Sequence, residues 1–347
     1  MELHLTRPGL VAPVHVDPTG QTGPTPGQAR GPRWRGLRAG WYQSVDSPST
    51  TEQRIVEAVG ALPDGCAATG WAALHWLGAR WSNGLDADGR ELPVPVAVGE
   101  RHVVRQRAGT LVSEDWLFDD DVIVIDGLPI TIPARAVTFE ARTADSEITA
   151  TCLIDMATYD DLVSLDELAA YTARLVARPG KVQLQRALSV ASENAWSPME
   201  VVMRRFWQLH HQRPLLCNQP IFDAAGNHLL TPDLLDLEAG VAGEYEGDVH
   251  ASGRARSRDL GREEVSRRHG IEVVTMMSGA GERARFLHRL EGAYARSRGP
   301  GPRSWTIEQP GWWVDTSTVA LRRALTVEQR ERWLRHRRPV QNGPKIP

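Results

Sequence analysis

Lysine is almost missing from this chain. Lysine and arginine together number 40 in 347 residues, yet only Lys181 and Lys345 are lysines, so no lysine lies between Val182 and Pro344. Chemistry in that stretch that needs a lysine ammonium is excluded, and arginine is a poor substitute because a guanidinium keeps its proton. Cysteine is scarce as well. Cys66, Cys152 and Cys217 are scattered, which excludes a disulfide framework and a zinc-ligand spacing and points to a reducing cytoplasm. No apolar run approaches the ~20 residues of a membrane span. The start, Met1-Glu2-Leu3-His4, carries no basic-then-apolar signal pattern. A soluble, cytoplasmic protein without a membrane partner is expected. The net charge of −3 gives no global attraction to nucleic acid, so any DNA contact must come from local basic patches.

What is present suits two or three globular domains, with 41% hydrophobic residues over 347 positions. Residues 1–32 are rich in Pro, Gly, Thr and Gln without a hydrophobic period, and read as a flexible arm. Residues 33–145 read as an α+β region. It opens on Arg33-Trp34-Arg35-Gly36-Leu37-Arg38-Ala39-Gly40-Trp41-Tyr42, a short basic ribbon with a turn. Alternating arginine and aromatic residues suit phosphate and stacking contacts, as in the wing of a winged-helix DNA binder; an ordinary amphipathic strand has the same pattern. Helical spacing follows from Thr51 to Leu62 and from Thr69 to Leu77, where His75 reads as a packing residue. Leu92–Val98, Val103–Arg107 and Val122–Ile125 read as strands, Gly127-Leu128-Pro129 as a turn and Ala134 onward as a helix.

Residues 146–195 read as a helical connector, with Asp155, Asp160, Asp161 and Asp166 on caps and solvated faces. The tail, 299–347, begins with Gly299-Pro300-Gly301-Pro302 as a linker. It then carries Trp312, Trp313 and a basic helix from Val327 to Arg338. That helix either binds phosphates or is a solvated face docked through Trp333 and Leu334.

The acids of residues 196–298 carry the chemistry. Pro198 to His211 has an apolar helical period (Met199, Val202, Phe206, Leu209), with proline at a favourable first-turn position. Glu200 then sits in the first turn, where a carboxylate is also an ordinary capping charge. Leu215–Phe222 and His228–Leu237 read as a β-hairpin around Asp223–Asn227, Ala239–Tyr245 as the next strand and Ile271–Met276 as a later one. Alternation puts Glu244 and Glu246 on one strand face, beside Asp233 on a neighbouring strand. Carboxylates so gathered repel unless a cation or protons intervene; otherwise they are edge charges that deter aggregation. Mg²⁺ or Mn²⁺ would suit them, since hard cations take oxygen ligands. His250 follows, and then Arg254, Arg258 and Arg262, which share one helix face at intervals of four.

Ser197-Pro198-Met199-Glu200, Pro232-Asp233, Glu244-Tyr245-Glu246-Gly247-Asp248-Val249-His250, the arginine helix and the hydrophobic strand together resemble the Vsr-like branch of the PD-(D/E)XK nuclease superfamily, over about Trp196 to Arg296. The front half, through Arg33–Tyr42, Thr69–Leu77 and Gly127–Arg135, is similar to AbiEi-type antitoxins. The whole chain resembles bacterial proteins that join the two. The resemblance implies an α/β chain, α+β taken whole, with a restriction-endonuclease-like domain whose central mixed sheet is flanked by helices. It implies Mg²⁺-dependent hydrolysis of DNA phosphodiesters, with Asp233, Glu244 and Glu246 at the metal and Glu200 and His250 as further catalytic residues. Arg254, Arg258 and Arg262 would hold DNA, and an antitoxin-like half would imply a toxin partner. The family's water-positioning lysine is replaced by Glu246, so either His250, Glu246 or the metal-activated water alone would have to serve as base. A catalytically degenerate fold acting as an AbiEi-type antitoxin or DNA-binding regulator is the other expectation.

Overall fold

The computed structural model describes residues 3–38, 40–86, 88–99, 102–247, 264–297 and 303–335. Within those limits the chain forms two compact units, one of residues 3–145 and 166–186, the other of 146–165 and 187–335. Both mix helices with sheets.

In the first unit β1 (Val14–His15), β2 (Trp34–Gly36) and β3 (Trp41–Ser44) form a small antiparallel sheet in the order β1-β3-β2. The basic ribbon is thus a hairpin, closed where Leu37 donates to Trp41 O at 2.9 Å and Trp41 to Arg38 O at 2.8 Å. The expected flexible arm is corrected over residues 3–32. Besides pairing through β1, its Val11 amide donates to Gln53 Oε1 at 3.0 Å and its Thr6 amide to Asp126 O at 3.2 Å. Such bonds to distant partners leave no period in the sequence. α1 (Thr51–Gly60) starts at Thr50, whose hydroxyl accepts the Gln53 amide, satisfying a donor that the helix start leaves open.

A five-stranded mixed sheet follows, built from β4 (Ala67–Ala68), β5 (Val94–Ala97), β6 (Thr110–Ser113), β7 (Val122–Ile125) and β8 (Leu128–Thr131) in the order β6-β5-β4-β8-β7. α2 (Gly70–Trp76) and α3 (Pro133–Thr143) pack together beside it. At Gly70, with φ +52°, a Cβ would lie 2.0 Å from Glu140 Oε1. That carboxylate uses the space to accept the Trp71 amide at 2.7 Å. His75 is a satisfied packing residue, with Nδ1 2.8 Å from Ser82 O and Nε2 2.9 Å from Glu52 Oε1.

One strand expectation and one turn expectation are corrected here. Residues 103–107 are irregular and the strand is β6, because the Gln106 side chain reaches over to bond the backbone of Thr110 and Val112. The turn is Asp126-Gly127, both at positive φ, an Asp-Gly hairpin signal, which leaves Leu128 and Pro129 inside β8.

The helical stretch 146–195 is shared between the units. α5 (Leu165–Arg174) and the start of α6 (Lys181–Ser189) belong with the first, where Tyr171 Oη donates to Asp121 at 2.9 Å and Gln183 Nε2 to Ala144 O at 2.8 Å. α4 (Glu147–Tyr159) belongs with the second and packs on α7 (Pro198–His211). Asp155 lies in that contact, fully buried, taking Arg204 Nη2 at 2.6 Å and the Ser192 amide at 2.9 Å. The reading of Asp155 as a solvated or capping acid is therefore corrected. Asp161 is held by Arg322 at 2.6 Å and Arg330 at 3.0 Å.

The second unit centres on a four-stranded sheet, β9 (Leu216–Cys217), β12 (Leu234–Asp236), β13 (Val241–Glu246) and β14 (Glu272–Met277), in the order β14-β13-β12-β9. β10 (Ile221–Asp223) and β11 (His228–Leu230) pair instead in a second sheet with β15 (Trp305–Thr306). The single hairpin expected over 215–237 is thus divided between two sheets. Asn218 at φ +45° bends the first arm, and Thr231-Pro232 separates β11 from β12. β12 and β13 are antiparallel, whereas β13 and β14 are parallel over six pairs, from Val241↔Glu272 to Glu246↔Met277.

One sheet face, carrying Leu234, Val241, Val274 and Met276, is covered by Met203 and Trp207 of α7 and by Phe286 and Leu290 of α8 (Glu282–Arg296). Burying Phe286 fully contributes about 1.5–3 kcal/mol. The other face, carrying Leu235 and Ala242, meets Ile221, Leu230 and Trp305 of the small sheet. Helix α7 approaches so closely that a Cβ on Gly243 would stand 2.7 Å from Trp207. α9 (Val319–Arg323) and α10 (Val327–Trp333) close the described chain. Trp333 lies 5.9 Å from Trp313, and Arg330 donates to Asp161. The docking expected of Trp333 and Leu334 is present, with Leu334 buried. Arg337, Arg338 and the expected linker from Pro300 to Pro302 lie outside the described residues, as does Gly299.

Candidate functional site

The acids of the second unit are placed by strand register. Leu234 pairs with Gly243 on one side and Cys217 on the other, so Asp233, one residue earlier, stands level with Glu244 and with Asn218. Glu244 in turn pairs with Thr275. A row Asn218, Asp233, Glu244, Thr275 therefore crosses all four strands at one end of the sheet. Alternation then decides the face: Asp233 follows Leu235, and Glu244 and Glu246 follow Ala242, so all three acids share the face that lies away from α7 and α8.

Asp233 is fixed more firmly than position alone requires. Its Oδ2 accepts the Tyr245 amide at 2.7 Å, and its carbonyl accepts the Asn218 amide at 2.9 Å. Both bonds tie it into the row. Asp233 and Glu244 are half-buried, while Glu246 is exposed at the end of β13.

Glu200 joins the row through Asn218. Ser197 caps α7 by accepting the Glu200 amide at 3.2 Å, and the Glu200 carboxylate reaches back to accept the Trp196 amide at 2.8 Å. The same carboxylate oxygen takes Asn218 Nδ2 at 2.8 Å. Burial raises the Glu200 pKa against these donors. Its carboxylate is occupied by cap and strand, which makes it a positioning residue for Asn218 and leaves its expected catalytic part without support. Sequence reading missed Asn218 because no motif marks it.

Among the described residues, the one group of three His, Cys, Asp or Glu side chains whose ligand atoms all lie within 4.8 Å of each other is His210, His211 and Glu291. Glu200, Asp233, Glu244 and Glu246 do not close into such a group. Asp233 and Glu244 remain as two carboxylates level on one face, a donor set that fits a hard cation that keeps several waters. Four expected site residues, His250, Arg254, Arg258 and Arg262, lie outside the described residues.

The first unit holds a second charged feature. Arg35 and Arg38 of the ribbon, Arg54 of α1 and Arg107 line one cavity of about 460 Å³, floored by Ala58 and Val94. Arg35 is paired with Glu57 at 2.6 Å. Partial burial, and then the charge of Arg107, lower the pKa of Arg38, as expected where guanidinium groups are crowded. Near-surface arginines that exceed their carboxylate partners draw anions.

Cys66, Cys152 and Cys217 are free and buried. Among the described residues no helix is long and apolar enough to cross a membrane. No family model, curated protein or solved structure matches the chain.

Proposed function

We propose that the second unit is a restriction-endonuclease-like domain of the Vsr-like kind, acting on DNA phosphodiesters with Mg²⁺ or Mn²⁺ at Asp233 and Glu244. The observation that carries this reading is the level, same-face placement of those two carboxylates, on antiparallel strands of a mixed sheet with helices packed against it. A bound cation there supplies Lewis-acid activation of water and positive charge for the in-line displacement at phosphorus.

The chain's own residues do the rest. The Tyr245 amide orients Asp233, Asn218 holds the adjoining strand end, and Glu200 fixes Asn218 from the helix side. Glu246, exposed one pleat further along the same face, stands at the position of the missing lysine and faces outward towards substrate or solvent. His250 is assigned on sequence alone to take the proton from water, and Arg254, Arg258 and Arg262 to hold the phosphate backbone. Titration of Mn²⁺ into wild type and Asp233→Asn tests the site. A single site weakened at least tenfold by the substitution supports it, and equal binding by both proteins removes it.

The arginine cavity of the first unit favours a second reading, a DNA-binding, AbiEi-type regulator built on the same chain. Four arginines line the cavity beside Glu57, two of them paired with Glu57 and Glu91, and such an arginine excess suits phosphate oxygens. This reading expects duplex binding that is independent of divalent metal and of Asp233, with an affinity that falls as salt rises. It also expects Arg38→Ala with Arg107→Ala to flatten that salt dependence by roughly two contacts. An unchanged slope in the double variant would sink it. A toxin partner belongs to this reading alone.

A further inference from the structure

The C-terminal turn of α7 ends in two consecutive histidines, and both turn towards α8. His210 Nε2 lies 3.0 Å from Glu291 Oε1, and His211 Nε2 lies 4.0 Å from the same oxygen. The two imidazole centroids are 4.8 Å apart. Neighbouring helix residues normally diverge by about 100°, so the convergence of two such rings on one carboxylate is a particular arrangement rather than a consequence of helix geometry.

A second observation is independent of the cluster. His211 Nε2 is buried and has no hydrogen-bond partner. Buried polar atoms are nearly always satisfied, and an exception asks for a missing partner such as an ion. The His211 ring packs on the ring of Tyr294, with centroids 4.5 Å apart. Tyr294 is itself pinned, donating to Asp236 Oδ2 and accepting from Trp207 Nε1, both at 2.8 Å. The ligand is held ready, as a metal site requires of its supporting residues.

We infer that His210, His211 and Glu291 form a site for a borderline divalent ion of the zinc class, which bridges the end of α7 to α8, with water completing the shell. Two imidazole nitrogens and one carboxylate oxygen are an established zinc donor set, bound at about 2.0–2.2 Å. All three donor atoms already lie within 4.8 Å of one another. His210 and Glu291 are exposed enough to move inward the remaining distance. Burial, followed by the neighbouring His210, lowers the pKa of His211, which favours the neutral ring that a metal needs. His288, one turn before Glu291 on α8, acts electrostatically on that carboxylate. Imidazole donors discriminate against Mg²⁺, which prefers oxygen. The site is also separate from the acidic row: Glu200 and His210 are ten residues apart on α7, about 15 Å along the helix.

The experiment uses the full chain, stripped with EDTA and dialysed, and titrated with ZnCl₂ by calorimetry and with CoCl₂ by visible absorption. Wild type should bind one equivalent of Zn²⁺, give the d–d absorption of nitrogen-and-oxygen-bound Co²⁺, and gain thermal stability on binding. His210→Gln, on an exposed ring, and Glu291→Gln should keep the apo melting temperature while weakening Zn²⁺ at least tenfold each. His211→Gln should abolish the Co²⁺ spectrum. Asp233→Asn should bind Zn²⁺ as wild type does, which keeps this result apart from the fate of the nuclease reading. Zn²⁺ affinity unchanged in His210→Gln and His211→Gln, or no binding by wild type, would overturn the assignment. Equally tight binding of Mg²⁺ at these residues would overturn its chemistry.

Discussion

Asp233 and Glu244 stand level on adjacent antiparallel strands, and the Asp233 carboxylate accepts the amide of Tyr245, the residue that follows Glu244, at 2.7 Å. One side chain therefore has a structural and a chemical duty, and the two can be separated. Asp233→Asn keeps an oxygen for the Tyr245 amide and should unfold in urea within about 0.5 kcal/mol of wild type. Asp233→Ala loses the bond and should fall by about 1 kcal/mol. Equal losses in both variants would mean that charge, not the amide bond, holds the row together.

Asp155 is the acid whose loss should damage the fold most. It is fully buried against Arg204, and Asp155→Asn leaves a buried guanidinium without its counter-charge. Breaking such a pair from one side typically costs about 3–5 kcal/mol. Denaturation of Asp155→Asn should show a loss of that order, and Asp155→Asn with Arg204→Met should recover part of it. A loss below about 1 kcal/mol would place the pair at the surface.

Glu140 should make the first unit sensitive to pH. Desolvation pushes its pKa up to about 7, partly offset by the Trp71 amide. A carboxyl whose folded pKa is raised contributes stability that is complete below its unfolded pKa and is lost as pH rises through the folded value. The window therefore runs from about 4.3 to beyond 7. Glu140→Gln, which retains an acceptor for the Trp71 amide, should gain on wild type by up to about 3 kcal/mol between pH 5 and pH 8. Melting temperatures of both proteins at the two pH values measure it, and a constant difference would contradict the raised pKa.

Gly243 should tolerate no side chain. A methyl group there meets Trp207 at 2.7 Å, and Trp207 is fully buried between sheet and helix. Gly243→Ala should destabilise by about 1–3 kcal/mol through overpacking, seen as a lowered melting temperature. A neutral effect would mean that α7 can lift from β13.

The parts of this fold that are local were legible in the residues, and the parts that depend on distant partners were not. α7 could be read from Pro198 to His211 because proline, the Ser197 cap and the apolar period all lie within one stretch. β7 was legible for the same reason, as a β-branched run. The division of 215–237 between two sheets was hidden, because the pairing of β10 with β15 is decided far along the chain. Asp155 looked like any helix-borne acid, since its partner Arg204 lies 49 positions away. Alternation gave Glu244 and Glu246 one face beside Asp233 on a neighbouring strand, and register adds that Asp233 stands level with Glu244. Asn218 and the convergence of His210, His211 and Glu291 needed tertiary structure to be seen.

The most direct measurement is cleavage of supercoiled and linear DNA in Mg²⁺ or Mn²⁺, with wild type beside Asp233→Asn and an EDTA control. The account predicts nicking or linearisation that requires the metal and falls at least a hundredfold in Asp233→Asn. Cleavage that survives the substitution, or a folded wild type that binds duplex DNA yet cuts none in either metal, would contradict it.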